Sequence, residues 1–250
     1  MNDSLTGVRI LVTGGSRGIG RATAVSLASA GARVAFGYHG DDAAAAVTLA
    51  EVQAHDASAF SIESDVAVEA EAIEMVQRAV EGLGGLDVVV NNAGILHEAS
   101  LLETSIDAFD KVIAVNLRGT FVVGREAIRH MVQQGSGRVI NIASDLGYLG
   151  RERNSAYCAS KAGIGAMTRA WALEFAPQIL VNAIAPGPID TDMLGAEVMS
   201  EAQRQKESTI PLGRIGRPEE IANMVTFLAG PQATFITGQT YGVNGGSVML

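Results

Sequence analysis

The chain has 250 residues, 48% of them hydrophobic and 18% charged, a globular composition long enough for a sizeable α/β core and unlike that of a disordered polypeptide. Eighteen Lys and Arg against 27 Asp and Glu give a net charge of −9, a field that opposes general binding to nucleic acid or to an anionic membrane. One Cys excludes an internal disulfide, and His39, His55, His97 and His130 do not fall at zinc-ligand spacing, so no metal site is expected. With no signal peptide, lipidation motif or run of 18 apolar residues, the expected setting is the cytoplasm.

In chain order, Val8 to Thr13 is a short β-branched run that reads as a buried strand. A glycine turn leads into a helix over Gly18 to Ala30, and Arg33 to Tyr38 is the second strand. A helix over Asp41 to His55, with Asp41 or Asp42 as its N-cap, precedes a third strand over Ala57 to Ser64. An amphipathic helix over Val68 to Leu83 stops at Gly84-Gly85, and Asp87 to Asn91 is the fourth strand. A long helical pattern over Ser105 to Gln134 is closed by Gly135 and followed by a strand over Arg138 to Ala143. Asn154 to Phe175 is a helix, and Ile179 to Ile184 a strand. Residues 190–217 break the rhythm as a long polar, glycine-bearing loop of the kind that forms lids and binding sites. Pro218 to Ala229 is a helix opened by proline, and Thr240 to Val243 is the last strand. This alternation predicts one domain over residues 1–250: a doubly wound, parallel, seven-stranded sheet with helices on both faces.

The first strand runs into Thr13-Gly14-Gly15-Ser16-Arg17-Gly18-Ile19-Gly20 and then directly into a helix. Glycines let a phosphate approach the backbone, and the free N–H groups of the helix start hold its charge. A tight turn alone would explain the glycines, but the strand–turn–helix setting is the one a dinucleotide fingerprint requires. The spacing is GxxxGxG, and no Lys-Ser/Thr pair follows, which excludes an ATP or GTP phosphate loop. An acid for the ribose 2′-hydroxyl belongs at the end of the second strand, where this chain has Tyr38 and His39. Arg17 inside the turn suits a 2′-phosphate. NADP(H) is therefore expected over NAD(H), which stays possible.

Tyr157 and Lys161 are four apart near a helix start and share a face. An ammonium beside a phenol lowers its pKa and equips it to pass a proton near neutrality. Ser144 closes the strand RVINIAS at the carboxyl edge of the sheet, where ligands bind in open α/β folds, and can hold a carbonyl or alcohol oxygen near Tyr157. Cys158 points to another helix face and reads as packing, and Trp171 and Phe175 as core or interface. His97 either touches substrate or sits in a surface loop.

Over nearly its whole length the chain resembles a short-chain dehydrogenase/reductase with a Rossmann fold, most nearly the 3-oxoacyl-carrier-protein reductases. The resemblance rests on Thr13 to Gly20, Asn91-Asn92-Ala93-Gly94, Asn116, Ser144, Tyr157, Lys161 and Pro186-Gly187. It implies Tyr157 as general acid/base, Lys161 as the nicotinamide-ribose ligand that also lowers the tyrosine's pKa, Ser144 as the residue orienting the substrate oxygen, and Asn116 as the holder of a relay water. On the cofactor side it implies Gly14, Ser16, Arg17, Gly18, Ile19, Gly20, Tyr38 and His39. It adds Asp65 and Val66 near the adenine, Asn92, Ala93 and Gly94 along the middle, and Pro186, Gly187, Ile189 and Thr191 near the carboxamide. It further implies a mobile substrate loop at about 190–210 and a homotetramer using the C-terminal segment.

The expected activity is hydride transfer between a nicotinamide and a carbonyl or secondary alcohol, on a 3-oxoacyl thioester or small ketone. The alternatives are an NAD-dependent dehydrogenase of a small alcohol, polyol or cyclic diol, and a nucleotide-binding regulator without chemistry, against which the intact Asn116, Ser144, Tyr157 and Lys161 argue. The apolar stretch Met224 to Ala229 and the ending Phe235 to Leu250 are expected to offer assembly surface. Arg125, Arg129 and Arg138 are the basic residues available to dock an acidic carrier, and Arg129 matches a docking arginine of the family. The second such position is Leu173, so half of the patch is missing.

Overall fold

The computed structural model describes residues 5–195 and 199–249. Residues 196–198 of the expected loop and Leu250 of the expected interface segment lie outside these described residues. The strands are β1 (Arg9–Val12), β2 (Arg33–Tyr38), β3 (Phe60–Glu63), β4 (Val88–Asn91), β5 (Gly137–Ile142), β6 (Ile179–Pro186) and β7 (Thr240–Val243). They form one parallel sheet in the order β3-β2-β1-β4-β5-β6-β7. The order reverses between β1 and β4, which opens a crevice beyond their carboxyl ends.

The helices are α1 (Gly18–Ser29), α2 (Asp42–Gln53), α3 (Glu69–Leu83), α4 (Ile106–Val112), α5 (Thr120–Gln134), α6 (Leu146–Leu149), α7 (Ser155–Phe175), α8 (Glu201–Glu207) and α9 (Pro218–Ala229). Successive strand residues point to opposite faces, so the apolar runs divide into two cores. Ile10, Val12, Val88 and Val90 join Leu27, Ile221 and Val225 of α1 and α9 on one side. Leu11 and Val89 join Met75, Val122, Met131 and Trp171 of α3, α5 and α7 on the other. Trp171 is core: its ring fills the space a side chain at Gly124 would need.

Three expectations are corrected. The Ser105 to Gln134 pattern is not one α-helix, because a π-helical segment, Ile113–Gly119, separates α4 from α5, with Ser105 as N-cap. This wide turn places Asn116 inward, where it is fully buried; π insertions inside helices often mark functional positions. The polar stretch 190–217 contains α8, which has no buried residue and hence no apolar stripe to betray it. Its Ser200/Gln203 capping box closes its start. The Met224 to Ala229 stretch is largely internal, since Val225, Leu228 and Ala229 pack into the first core. Among the described residues no helix is long and apolar enough to cross a membrane, and no His, Cys, Asp and Glu cluster could hold a metal.

Candidate active site

The crevice is built on a stitch between the loops after β1 and β4. Thr13 Oγ1 accepts the backbone N–H groups of Asn92 and Ala93, each at 3.0 Å. The Asn92 side-chain amide donates back to the carbonyls of Thr13 (2.9 Å) and Gly14 (3.0 Å). Gly14 has φ +63° and lies so near Ala93 that a Cβ would stand 2.9 Å from its Cα. A Cβ on Gly20 would collide with the Gly14 carbonyl oxygen. The glycines are thus required by close packing of the turn as well as by any ligand. Ser16 is buried, and its carbonyl accepts from Thr48 Oγ1 at 2.8 Å. Arg17 is the N-cap of α1, and Ile19 lies in its first turn.

Beside this stitch, Lys161 of α7 is only 4% exposed, and its ammonium donates to the Ile142 carbonyl at 2.8 Å. Its Nζ also lies 5.6 Å from the centre of the Tyr157 ring. Gly94 covers this lysine: a Cβ there would stand 3.6 Å from Nζ and 3.4 Å from Asn116 Oδ1. Asn116 Oδ1 accepts from Ile95 N–H (2.8 Å), and Nδ2 donates to Ile95 O (2.9 Å) and to Ser160 Oγ (3.1 Å). Its side chain therefore pins the loop after β4. Ser144, expected at the strand end, lies two residues past β5; its hydroxyl is hydrogen-bonded with the Tyr157 phenol and lies 3.2 Å from Asp145 Oδ1.

The expectation that Lys161 lowers the tyrosine's pKa is not met by the chain's own groups. Burial pushes the Tyr157 phenol up to about 12, offset in part by the Ser144 hydrogen bond. Burial likewise pushes the Lys161 ammonium down to about 8. Desolvation of the charged form is the leading cause in both cases.

The remaining predicted positions divide into two groups. Thr191 faces the glycine turn, its Cγ2 3.2 Å from where a Gly18 Cβ would be. Asp65 Oδ1 holds the Ala67 amide at 2.9 Å while its other oxygen is 3.9 Å from His39 Nε2. The Tyr38 hydroxyl donates to Asp42 (3.0 Å), and Arg17 lies 3.7 Å from Asp41. These pairs ring the end of β2. By contrast Val66, Ile189, Pro186 and Gly187 are tied into the fold: Val66 packs on Gly119, Ile189 joins the first core, Pro186 ends β6, and Gly187 abuts Asn244. Arg138 does not join Arg125 and Arg129, because its guanidinium caps the carbonyls of Leu228 (3.1 Å) and Ala233 (3.4 Å). Sequence reasoning passed over Thr13 and Ser160 as linchpins, and also Asp145, whose only signal was its place beside Ser144.

The sheet, the glycine turn at its switch point and the Ser–Tyr–Lys cluster at its carboxyl edge define a nicotinamide-dependent oxidoreductase. Residues 14–248 match the family model described as enoyl-(acyl carrier protein) reductase. The chain is 42% identical over 240 residues to 3-oxoacyl-[acyl-carrier-protein] reductase FabG of Staphylococcus aureus, covering 96% of this chain and 97% of that one. It is 41% identical over 248 residues to FabG of Aquifex aeolicus, covering 98% and 99%. A short-chain dehydrogenase from Burkholderia cenocepacia, crystallised with NADP, superposes with a TM-score of 0.91 at 36% identity, covering 97% and 98%. The chain belongs to the short-chain dehydrogenase/reductase family and is an NAD(P)-dependent enzyme of it.

The buried lysine carries a stability signature. Its folded pKa lies below its ordinary 10.5, so between pH 8 and 10 the unfolded chain binds more protons and stability rises with pH. Wild-type protein should gain ~2 kcal/mol of unfolding free energy relative to Lys161→Met over that interval. Urea titrations at the two pH values measure it; a constant difference would mean Lys161 is not desolvated. Above pH 10 the raised Tyr157 pKa works the other way, because the folded state then holds the extra proton.

Proposed function

We propose that this enzyme is an NADP(H)-preferring carbonyl reductase or alcohol dehydrogenase acting on a free small ketone or short 3-oxoacyl thioester. The observation that carries the reading is the meeting of Ser144, Tyr157 and Lys161 under Gly94, beside the stitched glycine turn. The residues fit a dinucleotide: Gly94 leaves the space above the Lys161 ammonium that a Cβ would fill, and that ammonium has further N–H donors to offer ribose hydroxyls. When bound, the nicotinamide supplies or accepts the hydride. Ser144 Oγ holds the substrate oxygen, and Tyr157 gives it a proton in reduction or takes one in oxidation. Lys161 holds the ribose. Gly14 to Gly20 and Asn92 to Gly94 line the pyrophosphate side, with Asp65 at the adenine end and Thr191 at the nicotinamide end.

Initial rates with NADPH and NADH on β-ketoacyl thioesters, diketones and sugars test the activity. Tyr157→Phe should cut turnover by about 100-fold or more while cofactor binding survives. Near-normal turnover would overturn the role of Tyr157.

The preference for NADP(H) is supported by Tyr38, and not an acid, as the last residue of β2, by the exposed Arg17, and by the NADP-bound relative. The 3.7 Å approach of Arg17 to Asp41 is loose and solvent-exposed, so it leaves the guanidinium free to turn to a phosphate. Arg17→Ala should weaken NADPH binding by about 1.5–3 kcal/mol and barely change NADH binding. Tighter binding of NADH than NADPH by the wild type, measured by fluorescence titration, would reverse the assignment.

Carrier docking is disfavoured by the charges present. Arg129 is paired with Glu126 at 2.6 Å and Arg125 with Glu69 at 2.8 Å, and the second docking position is the exposed apolar Leu173. A substrate free in solution fits this surface better than an acidic protein. We also propose one catalytic domain with a substrate loop at about 190–210, assembled as a homotetramer. Leu173, Phe235 and Met249 stand exposed near the C-terminal elements, and Leu101, Leu102 and Ile106 around the start of α4. Light scattering should give four times the chain mass at micromolar concentration; a monomer would contradict it.

A further inference from the structure

Asp145 lies between Ser144 and the C-terminal segment, and the chemistry above gives it no part. It is 5% exposed. Its Oδ1 lies 3.2 Å from Ser144 Oγ, and its Oδ2 accepts from Ser247 Oγ at 2.6 Å. Its backbone N–H donates to the Pro186 carbonyl at 3.0 Å, which fixes the turn against the end of β6. Burying a carboxylate is costly, and an apolar residue would have packed here without that cost.

The geometry of Ser144 shows what the carboxylate does. A hydroxyl has one proton and two acceptor sites. The Leu146 N–H occupies one acceptor site at 3.2 Å. The Asp145 carboxylate competes for that proton with the Tyr157 side, where a hydrogen bond from Ser144 favours the phenolate. Ser144 Oγ therefore stands between the Asp145 carboxylate and the Tyr157 phenol, with the Ser247 hydroxyl donating to the carboxylate from the far side.

We infer that Asp145 is a positioning residue that acts through Ser144, orienting its hydroxyl and holding the transferable proton on Tyr157. The inference rests on the carbonyl–alcohol reading above. A negative charge beside a phenol disfavours the phenolate, and Asp145 acts on Tyr157 in that direction. Burial in turn raises the Asp145 carboxyl itself. The other groups facing this pair are Arg151, with Glu207 and Glu98 acting on it, and Cys158 and Lys161 on α7. All of these stay in place when Asp145 alone is changed.

Oxidation needs Tyr157 deprotonated, and reduction needs it protonated. In Asp145→Asn, which keeps an acceptor for Ser144 and Ser247, the rising limb of alcohol oxidation should move about one unit to lower pH. The falling limb of carbonyl reduction should move with it, and Asp145→Ser should show the same direction. Superimposable profiles, or a uniform loss of kcat with unmoved limbs, would overturn the inference. The unsubstituted protein gives an independent reading. With 13Cζ-labelled tyrosine and the Tyr157 resonance assigned by Tyr157→Phe, that resonance should shift as Asp145 titrates in the acid range; a flat trace would overturn the coupling. A wild-type enzyme that turns over no carbonyl or alcohol would instead defeat the functional reading, and the resonance would still decide whether Asp145 and Tyr157 are linked.

Discussion

One threonine oxygen organises the crevice. Thr13 Oγ1 takes two consecutive amide protons from the loop after β4, and Asn92 returns two hydrogen bonds to the loop after β1. Both loops leave the sheet at its switch point, where neighbouring strands send their connections to opposite faces. Without cross-links the two would diverge. With them, the start of α1 and Gly94 are held on either side of one cleft, and Gly94 is brought over Lys161.

The chemistry sits in a place that is costly to build. Lys161 is buried and keeps its proton partner through the Ile142 carbonyl, and Asn116 is buried with its amide fully engaged. Asn116 lies within the π segment and reaches Ile95 and Ser160 at once. Buried polar groups of this kind are tolerable only when satisfied, and once satisfied they hold a single geometry. Asn141 does the same beneath the site, accepting from Asn91 and donating to Thr168, each at 2.9 Å.

The mouth of the cleft is held differently, by charges. Arg151 forms a two-point ion pair with Glu207 of α8, and Lys206 reaches Glu152 at 3.0 Å. Arg153, with φ +66°, reaches Glu98 at 3.2 Å, and its carbonyl accepts from Ala99 N–H at 2.9 Å. Three segments distant in sequence are thus joined at their rims. The exposed pairs of Lys206 with Glu152 and Arg153 with Glu98 contribute little each, so the half-buried Arg151–Glu207 pair is the main constraint of this rim.

The repeated apolar runs, glycine punctuation and capped helices are local signals, and they placed the strands, the principal helices, the glycine turn and the Tyr157–Lys161 pair. The spacing of those two residues along one helix is itself a local property. What lay beyond the sequence depends on neighbours. The π segment was hidden because Ser105 to Gln134 keeps a helical pattern while the backbone yields to the demand that Asn116 be satisfied inside. Helix α8 was hidden because a fully solvated helix shows no apolar period. The pKa directions of Tyr157 and Lys161 reversed the simple pair argument, because desolvation is set by everything packed around a group and not by the residue four positions away. Arg138 looked like part of a basic patch until α9 placed carbonyls over it. Asp145 stayed unremarked because its partner Ser247 is 102 residues away along the chain, a distance that only folding closes.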